Sequence, residues 1–333
     1  MTLNKTYRAF VVDRDGEKLI SGIQELDISA LPDADVKVRV QWSSLNYKDG
    51  LAITGAAPII RKTPMTAGID FSGIVEESAI EDFVPGDEVV LTGWGVGETH
   101  PGGFAQLASV QGDWLEKLPD GLDPKNAMAI GTAGLTSMLC VMGLENNGLK
   151  PSSGPVIVTG AAGGVGSLAV AILSDLGYEV SALTGRKDYS EFLTNLGAKE
   201  IIGRNEFSEE VSKPLLSERW AGAVDVVGGK ILAKIISQMK YGAPLAACGL
   251  AGGSELNTTV LPFILRGVKL IGIDSVMCPK PLRVSAWNRI AKQISKEKLS
   301  SITNIHSMSD LDGLGKDILR GAIRGRIVID VNK

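Results

Sequence analysis

The chain has 333 residues, enough for two domains, and its 44% hydrophobic and 22% charged residues are an ordinary globular composition. A formal net charge of −4 with no basic block argues against nucleic acid or an anionic membrane as the main partner. Cys140, Cys248 and Cys278 are odd in number and far apart, so they read as reduced thiols of a cytoplasmic protein, and no secretory signal opens the chain.

In chain order, Tyr7–Val12 predicts a first strand, and the alternation of Val36, Val38, Val40 and Trp42 predicts a half-buried one. The polar segment Ser43-Ser44-Leu45-Asn46-Tyr47-Lys48-Asp49 follows, before Leu51-Ala52-Ile53. Gly68–Val75 is a glycine-punctuated strand, and Pro85-Gly86 turns into another over Asp87–Val90. Short strands up to about Pro119 make the first domain β-rich. Near Asp123-Pro124 the pattern changes to an apolar helix over Ala127–Met142. Strands are then expected at Val156–Thr159, Glu179–Leu183, Glu200–Ile202, Ala223–Val227, Pro244–Cys248 and Val268–Ser275, with a helix over Asp188–Leu196. This alternation implies a doubly wound parallel sheet. A helix over Arg283–Ile294 and a last strand, Gly325–Val331, end the chain, and that strand can return to the first domain.

The most informative stretch is Pro155–Arg186. A β-branched run, Val156-Ile157-Val158-Thr159, enters the turn Gly160-Ala161-Ala162-Gly163-Gly164-Val165-Gly166. Val165, Leu168, Ile172 and Leu176 then fall on one helical face. Strand, glycine turn and helix open a dinucleotide-binding unit: the free N–H groups of a helix N-terminus bind phosphate, and side chains there would block it. An ordinary glycine-rich turn is the alternative. A membrane span over the uncharged Gly154–Ser174 is disfavoured by Pro155, the glycines and Asp175.

The second strand of this unit ends in Thr184-Gly185-Arg186-Lys187, with no acid before Asp188. An NAD enzyme usually places a carboxylate here for the ribose 2′-hydroxyl. Thr184, Gly185 and Arg186 instead suit a 2′-phosphate, and Arg204 can add a second cation, so NADPH is the expected cofactor. The alternative is a solvated charge at a strand end.

Several strings together resemble the medium-chain dehydrogenase/reductase superfamily, and within it the acrylyl-CoA reductase branch. They are Trp42–Asp49, Leu91–Glu98, Ile130–Gly134, Thr184–Arg186, Ala247–Gly253 and Gly272–Val276. The resemblance implies an α/β fold: a Rossmann NADP-binding domain over 128–276 and a β-rich GroES-like catalytic domain over 1–127 and 277–333. It implies Ala162, Gly163, Gly164 and Val165 at the pyrophosphate, Arg204, Leu250, Ile264 and Ser275 flanking adenine or nicotinamide, and Tyr47 beside the cofactor. Ala322 stands where relatives carry a polar amide, which leaves a backbone contact. It implies no zinc, since relatives' His-Glu is Ile69-Asp70 here and their cysteine falls in Leu45-Asn46-Tyr47; an alcohol dehydrogenase reading falls with it.

Hydride transfer without zinc favours an activated C=C bond, as in an acyl-CoA such as acryloyl-CoA. Tyr47 is the candidate catalytic group, its phenol able to donate or accept a hydrogen bond; the alternative is a tyrosine with its hydroxyl in water. Asn46 and Asp49 read as turn residues, His100 as a loop residue with a solvated ring, the alternative being a group that lines the substrate mouth, and Cys248 as a small core residue. Arg61, Lys62, Lys280 and Arg283 are candidates for the CoA phosphates, or plain surface charges. The expected activity is NADPH-dependent reduction of acryloyl-CoA to propanoyl-CoA. Reduction of quinones or other α,β-unsaturated carbonyls is the first alternative, and non-catalytic nucleotide or RNA binding the second. The edge over Val268–Ser275 predicts a homodimer.

Overall fold

A computed structural model describes residues 5–207 and 213–333. In chain order it contains strands β1 (Thr6–Asp15), β2 (Lys18–Asp27) and β3 (Val36–Leu45), helix α1 (Tyr47–Thr54), strands β4 (Met65–Thr66), β5 (Asp70–Ser78), β6 (Glu88–Thr92), β7 (Leu107–Val110) and β8 (Leu115–Lys117), and helix α2 (Pro124–Asn146). Next come β9 (Val156–Val158), α3 (Gly164–Asp175), β10 (Val180–Thr184), α4 (Ser190–Asn195), β11 (Glu200–Gly203), β12 (Gly222–Asp225), α5 (Gly229–Gln238), β13 (Pro244–Ala247), α6 (Leu261–Arg266) and β14 (Lys269–Gly272). Helices α7 (Lys280–Gln293) and α8 (Lys296–Ile302), strand β15 (Thr303–Ser307), helix α9 (Leu311–Leu319) and strand β16 (Arg326–Asp330) complete the chain.

Two compact units result. The first takes the chain up to Thr132 with Ser275–Val284 and Ile302–Lys333; the second takes Ala133–Asp274 and Ser285–Ser301. The second thus also gathers Ser285–Ser301, which the sequence partition had placed with the catalytic domain.

The first unit holds a three-stranded sheet, β2-β1-β4, and a larger one, β15-β16-β3-β5-β6-β8, with β7 also on β3. Val36, Val38 and Val40 are buried as their alternation predicts, against Phe71, Val89, Leu91 and Leu115. Trp42 breaks the alternation and is half-buried, because Ser43, Ser44 and Leu45 continue β3 into a dry interior. The final strand β16 returns to pair antiparallel with β3, placing Ile327 opposite Leu45.

The second unit is a six-stranded parallel sheet, β11-β10-β9-β12-β13-β14. Its order reverses between β9 and β12, and open α/β sheets bind ligands at such a switch point. Helix α5 has no counterpart in the sequence reading, since Gly228 and Gly229 at its start mask the signal; both have positive φ (71° and 58°). Its Ile231, Leu232, Ile235 and Ile236 still bury one amphipathic face. The expected strand at Val268–Ser275 shortens to β14, and the helix expected from Asp188 starts as a 3₁₀ turn, Lys187–Tyr189. Helix α2 is long and apolar enough to cross a membrane, but it is mostly buried and Gly131 (φ 50°, ψ −158°) breaks its helical geometry.

Candidate active site

The ends of the parallel strands build a phosphate cradle. Gly160 follows β9 with φ +56°, and a Cβ there would come within 2.6 Å of Val226, which follows β12. A Cβ on Gly166 would sit 2.3 Å from the Gly160 carbonyl oxygen, so glycine is what lets α3 start this close to β9. The Gly163 N–H closes the turn onto the Gly160 carbonyl at 2.9 Å, and the Ser167 N–H returns to Gly163. The N–H groups of Gly164, Val165 and Gly166 precede the first intrahelical bond, which is the arrangement that holds a pyrophosphate. The loop after β13 borders this crevice: a Cβ on Gly228 would be 2.5 Å from the Gly253 carbonyl and 3.3 Å from Leu250 Cα. Asp225, at the end of β12, shapes the crevice by accepting from Thr159 Oγ1 and the Gly228 N–H, both at 2.8 Å, and burial raises its pKa.

At the end of β10, register does the work. Parallel pairing sets Thr184 beside Gly203, so Gly185 and Arg204 are the next residues on the two chains. A Cβ on Gly185 would lie 3.2 Å from Arg204 Cζ, so glycine lets the exposed guanidinium rest against the turn. The buried Thr184 hydroxyl accepts from the Arg186 N–H at 3.2 Å, and the Arg186 guanidinium stacks 4.4 Å from the Tyr189 ring centre. Two guanidinium groups therefore flank one strand end, and the acid that follows, Asp188, is exposed in the next turn. This chemistry fits a ribose carrying a 2′-phosphate. Leu250 and Ile264 are 64% and 68% exposed, the first after β13 and the second on α6 beside exposed Val260 and Leu265. Cys248 is half-buried, its thiol 3.5 Å from the Asp225 carbonyl oxygen.

One end of the large sheet in the first unit collects a second set of groups. Tyr47 is the first residue of α1 and is 41% exposed, so its phenol is reachable. Behind it lies a dry polar knot. Asp49 accepts from the N–H groups of Asn46 at 2.8 Å and Ile69 at 2.9 Å. Asp70 accepts from the Ser44 hydroxyl at 2.7 Å, Asn46 Nδ2 at 3.0 Å and the Thr132 N–H at 2.9 Å. Arg326 enters from β16 and donates to Ser44 Oγ at 2.6 Å, Asn46 Oδ1 at 3.2 Å and the Ala129 carbonyl at 3.1 Å. Gly131 is required here, since its Cβ would fall 2.7 Å from the guanidinium. Burial, then the Asp70 charge, push the Asp49 carboxyl up to about 8, while burial lowers the Arg326 pKa against both aspartates. Burial thus disfavours the charged forms of both Asp49 and Arg326, as expected for ionisable groups in a low-dielectric site. Asn46 and Asp49 do hold the turn, but as part of this buried network. Zinc does not fit these donors: there is no cysteine or histidine, the carboxylates are saturated by N–H and O–H groups, and a guanidinium lies among them. Arg326 escaped the sequence reading because only pairing of β16 with β3 brings it to Ser44.

Beside the knot, the strand β6 ends in Thr92, followed by Gly93 and Trp94. Ser275 is buried, and its nearest neighbours include these residues. Arg283, considered from sequence as a CoA-phosphate contact, is fully buried with its terminal nitrogens on carbonyls and the Thr92 hydroxyl, so it is out of reach of an external phosphate. Lys280 lies 3.8 Å from Asp113, while Arg61 and Lys62 are exposed. The His100 ring is half-buried rather than solvated: Nδ1 meets the Pro101 carbonyl at 3.1 Å, the ring stands edge-on to Trp114, and burial lowers its pKa. The Ala322 N–H is committed to the Asp317 carbonyl at 2.9 Å, which leaves only its carbonyl for a backbone contact.

The chain is similar over nearly its whole length to known oxidoreductases. The alcohol dehydrogenase GroES-like domain matches residues 32–120 and the zinc-binding dehydrogenase domain residues 164–292. Acrylyl-CoA reductase AcuI of Ruegeria pomeroyi is 55% identical over 328 residues, covering 98% of this chain and 99% of that protein. The crystal structure of Escherichia coli K-12 YhdH with bound NADPH superposes with a TM-score of 0.95 at 51% identity, covering 97% of this chain and 100% of that one. Bacillus subtilis YhfP with NAD bound gives a TM-score of 0.95 at 42% identity, covering 98% and 100%.

Proposed function

The chain belongs to the medium-chain dehydrogenase/reductase superfamily, in its quinone-oxidoreductase-like branch, and from that premise we propose that it reduces the C=C bond of acryloyl-CoA to propanoyl-CoA with NADPH. The observation that carries the reading is the full-length 55% identity to an acrylyl-CoA reductase. The two guanidinium groups at the end of β10 supply the reason for NADPH.

NADPH, when held there, would supply a hydride for the β-carbon and leave as NADP⁺, and a proton taken up from solvent would complete the α-carbon. Charge then develops on the thioester oxygen, where a hydrogen-bond donor lowers the barrier. Tyr47 is that donor in this reading, its phenol exposed and its position set by the capped start of α1. Arg186 and Arg204 hold the 2′-phosphate, Thr184 and Gly185 let it approach, and Ala162, Gly163, Gly164 and Val165 hold the pyrophosphate. Leu250, Ile264 and Ser275 complete the contacts to the bases. The reaction proceeds without a metal, because the polar knot leaves no donor set for one.

The same reading makes the protein a cytoplasmic homodimer with neither nucleic acid nor membrane as partner. Strand β14 ends the parallel sheet, and exposed Leu270, with Val260 just before α6 and Ile264 and Leu265 on it, supports pairing of two copies. NADPH oxidation measured with acryloyl-CoA, crotonyl-CoA and a benzoquinone side by side tests the substrate. The highest kcat/KM is expected for acryloyl-CoA. An equal or higher value for the quinone sinks the reading.

A further inference from the structure

Among the buried charges, Arg283 ties the end of one strand to a second backbone segment. It lies in the first turn of α7 with no exposed surface. One terminal nitrogen donates to the Thr92 carbonyl and hydroxyl, both at 2.7 Å. The other donates to the carbonyls of Ser275 at 3.0 Å and Val276 at 3.1 Å. The guanidinium also lies 5.0 Å from the Trp94 ring centre. Trp94 is held at φ 57°, a left-handed conformation that a bulky residue rarely adopts, so the surrounding structure must over-determine it. Its N–H donates to the Val276 carbonyl at 3.1 Å, so that oxygen is held from two sides. A Cβ on Gly93 would come within 2.6 Å of the same oxygen, so no side chain fits between them. The 275–276 backbone is thereby tied to the end of β6, the strand next to β5 and Asp70.

We infer that Arg283 is a positioning residue for the cofactor: its planar fork fixes the Ser275–Val276 backbone so that Ser275 is presented to the nicotinamide. The inference rests on the reading of Ser275 as a cofactor contact. The two nitrogens must span two separate strands of backbone, which a guanidinium does and an ammonium does not. Buried Glu116, with Lys280, is the ionisable neighbour of this clamp, and burial raises its carboxyl to about 7.

The test compares two ligands, NADPH and the same molecule without its nicotinamide, 2′-phospho-ADP-ribose. Arg283→Lys and Ser275→Ala are each expected to weaken NADPH binding ~10-fold, about one hydrogen bond's worth, while leaving 2′-phospho-ADP-ribose within ~2-fold. Thr92→Val removes one acceptor without touching the cation, and is expected to weaken NADPH selectively by ~3-fold; it carries the test if Arg283→Lys does not fold. Equal weakening of both ligands by Arg283→Lys means a general structural role and overturns the inference, as does no weakening of either. If Ser275→Ala alone leaves NADPH unaffected, the reading of Ser275 fails and the inference falls with it. If Ser275→Ala is selective and Arg283→Lys is not, the reading of Ser275 stands and the inference alone falls.

Discussion

At the sheet end behind Tyr47, Arg283 and Arg326 are buried, and the terminal nitrogens of both finish on carbonyls, hydroxyls and an amide of the protein itself. At the end of β10, Arg186 and Arg204 stay at the surface, one stacked on Tyr189 and the other resting on the bare backbone of Gly185. The same side chain is thus used in two ways. A guanidinium taken out of water must be satisfied internally, and it then fixes geometry. One at a strand end, even where it is stacked on a ring as Arg186 is on Tyr189, can turn its planar fork to a ligand phosphate. The contrast makes separable predictions: damage to the first region should appear in stability, turnover or the nicotinamide-dependent part of binding, damage to the second in the discrimination of NADPH from NADH.

The largest effect is expected from Arg326→Met, which takes the cation away from the buried polar groups around Asp70. Removing one partner of a buried ionic group costs about 3–5 kcal/mol, so chemical denaturation should show a loss of that order. A loss comparable to that of an exposed pair, about 1 kcal/mol or less, would mean the knot is not dry.

Tyr47→Phe comes next. It sits on the outer side of the same knot, so the fold should hold while kcat for acryloyl-CoA drops by ~10²-fold, the scale of a lost oxyanion donor. Unchanged kinetics would return Tyr47 to a tyrosine whose hydroxyl meets only water.

A smaller effect concerns pH. The Asp49 carboxyl rises from 3.8 to about 8 in the folded state, so the native protein keeps a proton that the unfolded chain gives up. Stability from this group is complete below about pH 4 and is lost as pH rises through about 8. Asp49→Asn, neutral at every pH, should flatten the fall in denaturation midpoint across that window. Parallel curves for the two proteins would show that Asp49 is ionised in the fold.

The regions also differed in how readily the sequence disclosed them. The phosphate cradle lies within one contiguous stretch, where strand, glycines and helix follow in order, and Thr184-Gly185-Arg186 comes one strand later. Arg204 needed only the neighbouring parallel strand. The knot was opaque, because Ser44, Asp70, Gly131 and Arg326 come from four distant segments joined by strand pairing. Asp49 and Asn46 read as turn residues because a capping box looks the same whether or not it is buried. Arg283 read as a surface cation because nothing local marks the first turn of α7 as covered. Amphipathic α5 was hidden by the glycines that begin it.

The central claim is that the outward-facing cations exist to bind the 2′-phosphate. The direct measurement is KM for NADPH and for NADH in the wild type and in Arg186→Ala. One charge-assisted contact is worth about 1.5–3 kcal/mol, so the variant should raise KM for NADPH by roughly 10- to 100-fold and leave KM for NADH within ~2-fold. Equal weakening of both cofactors, or a wild type that prefers NADH, would contradict it.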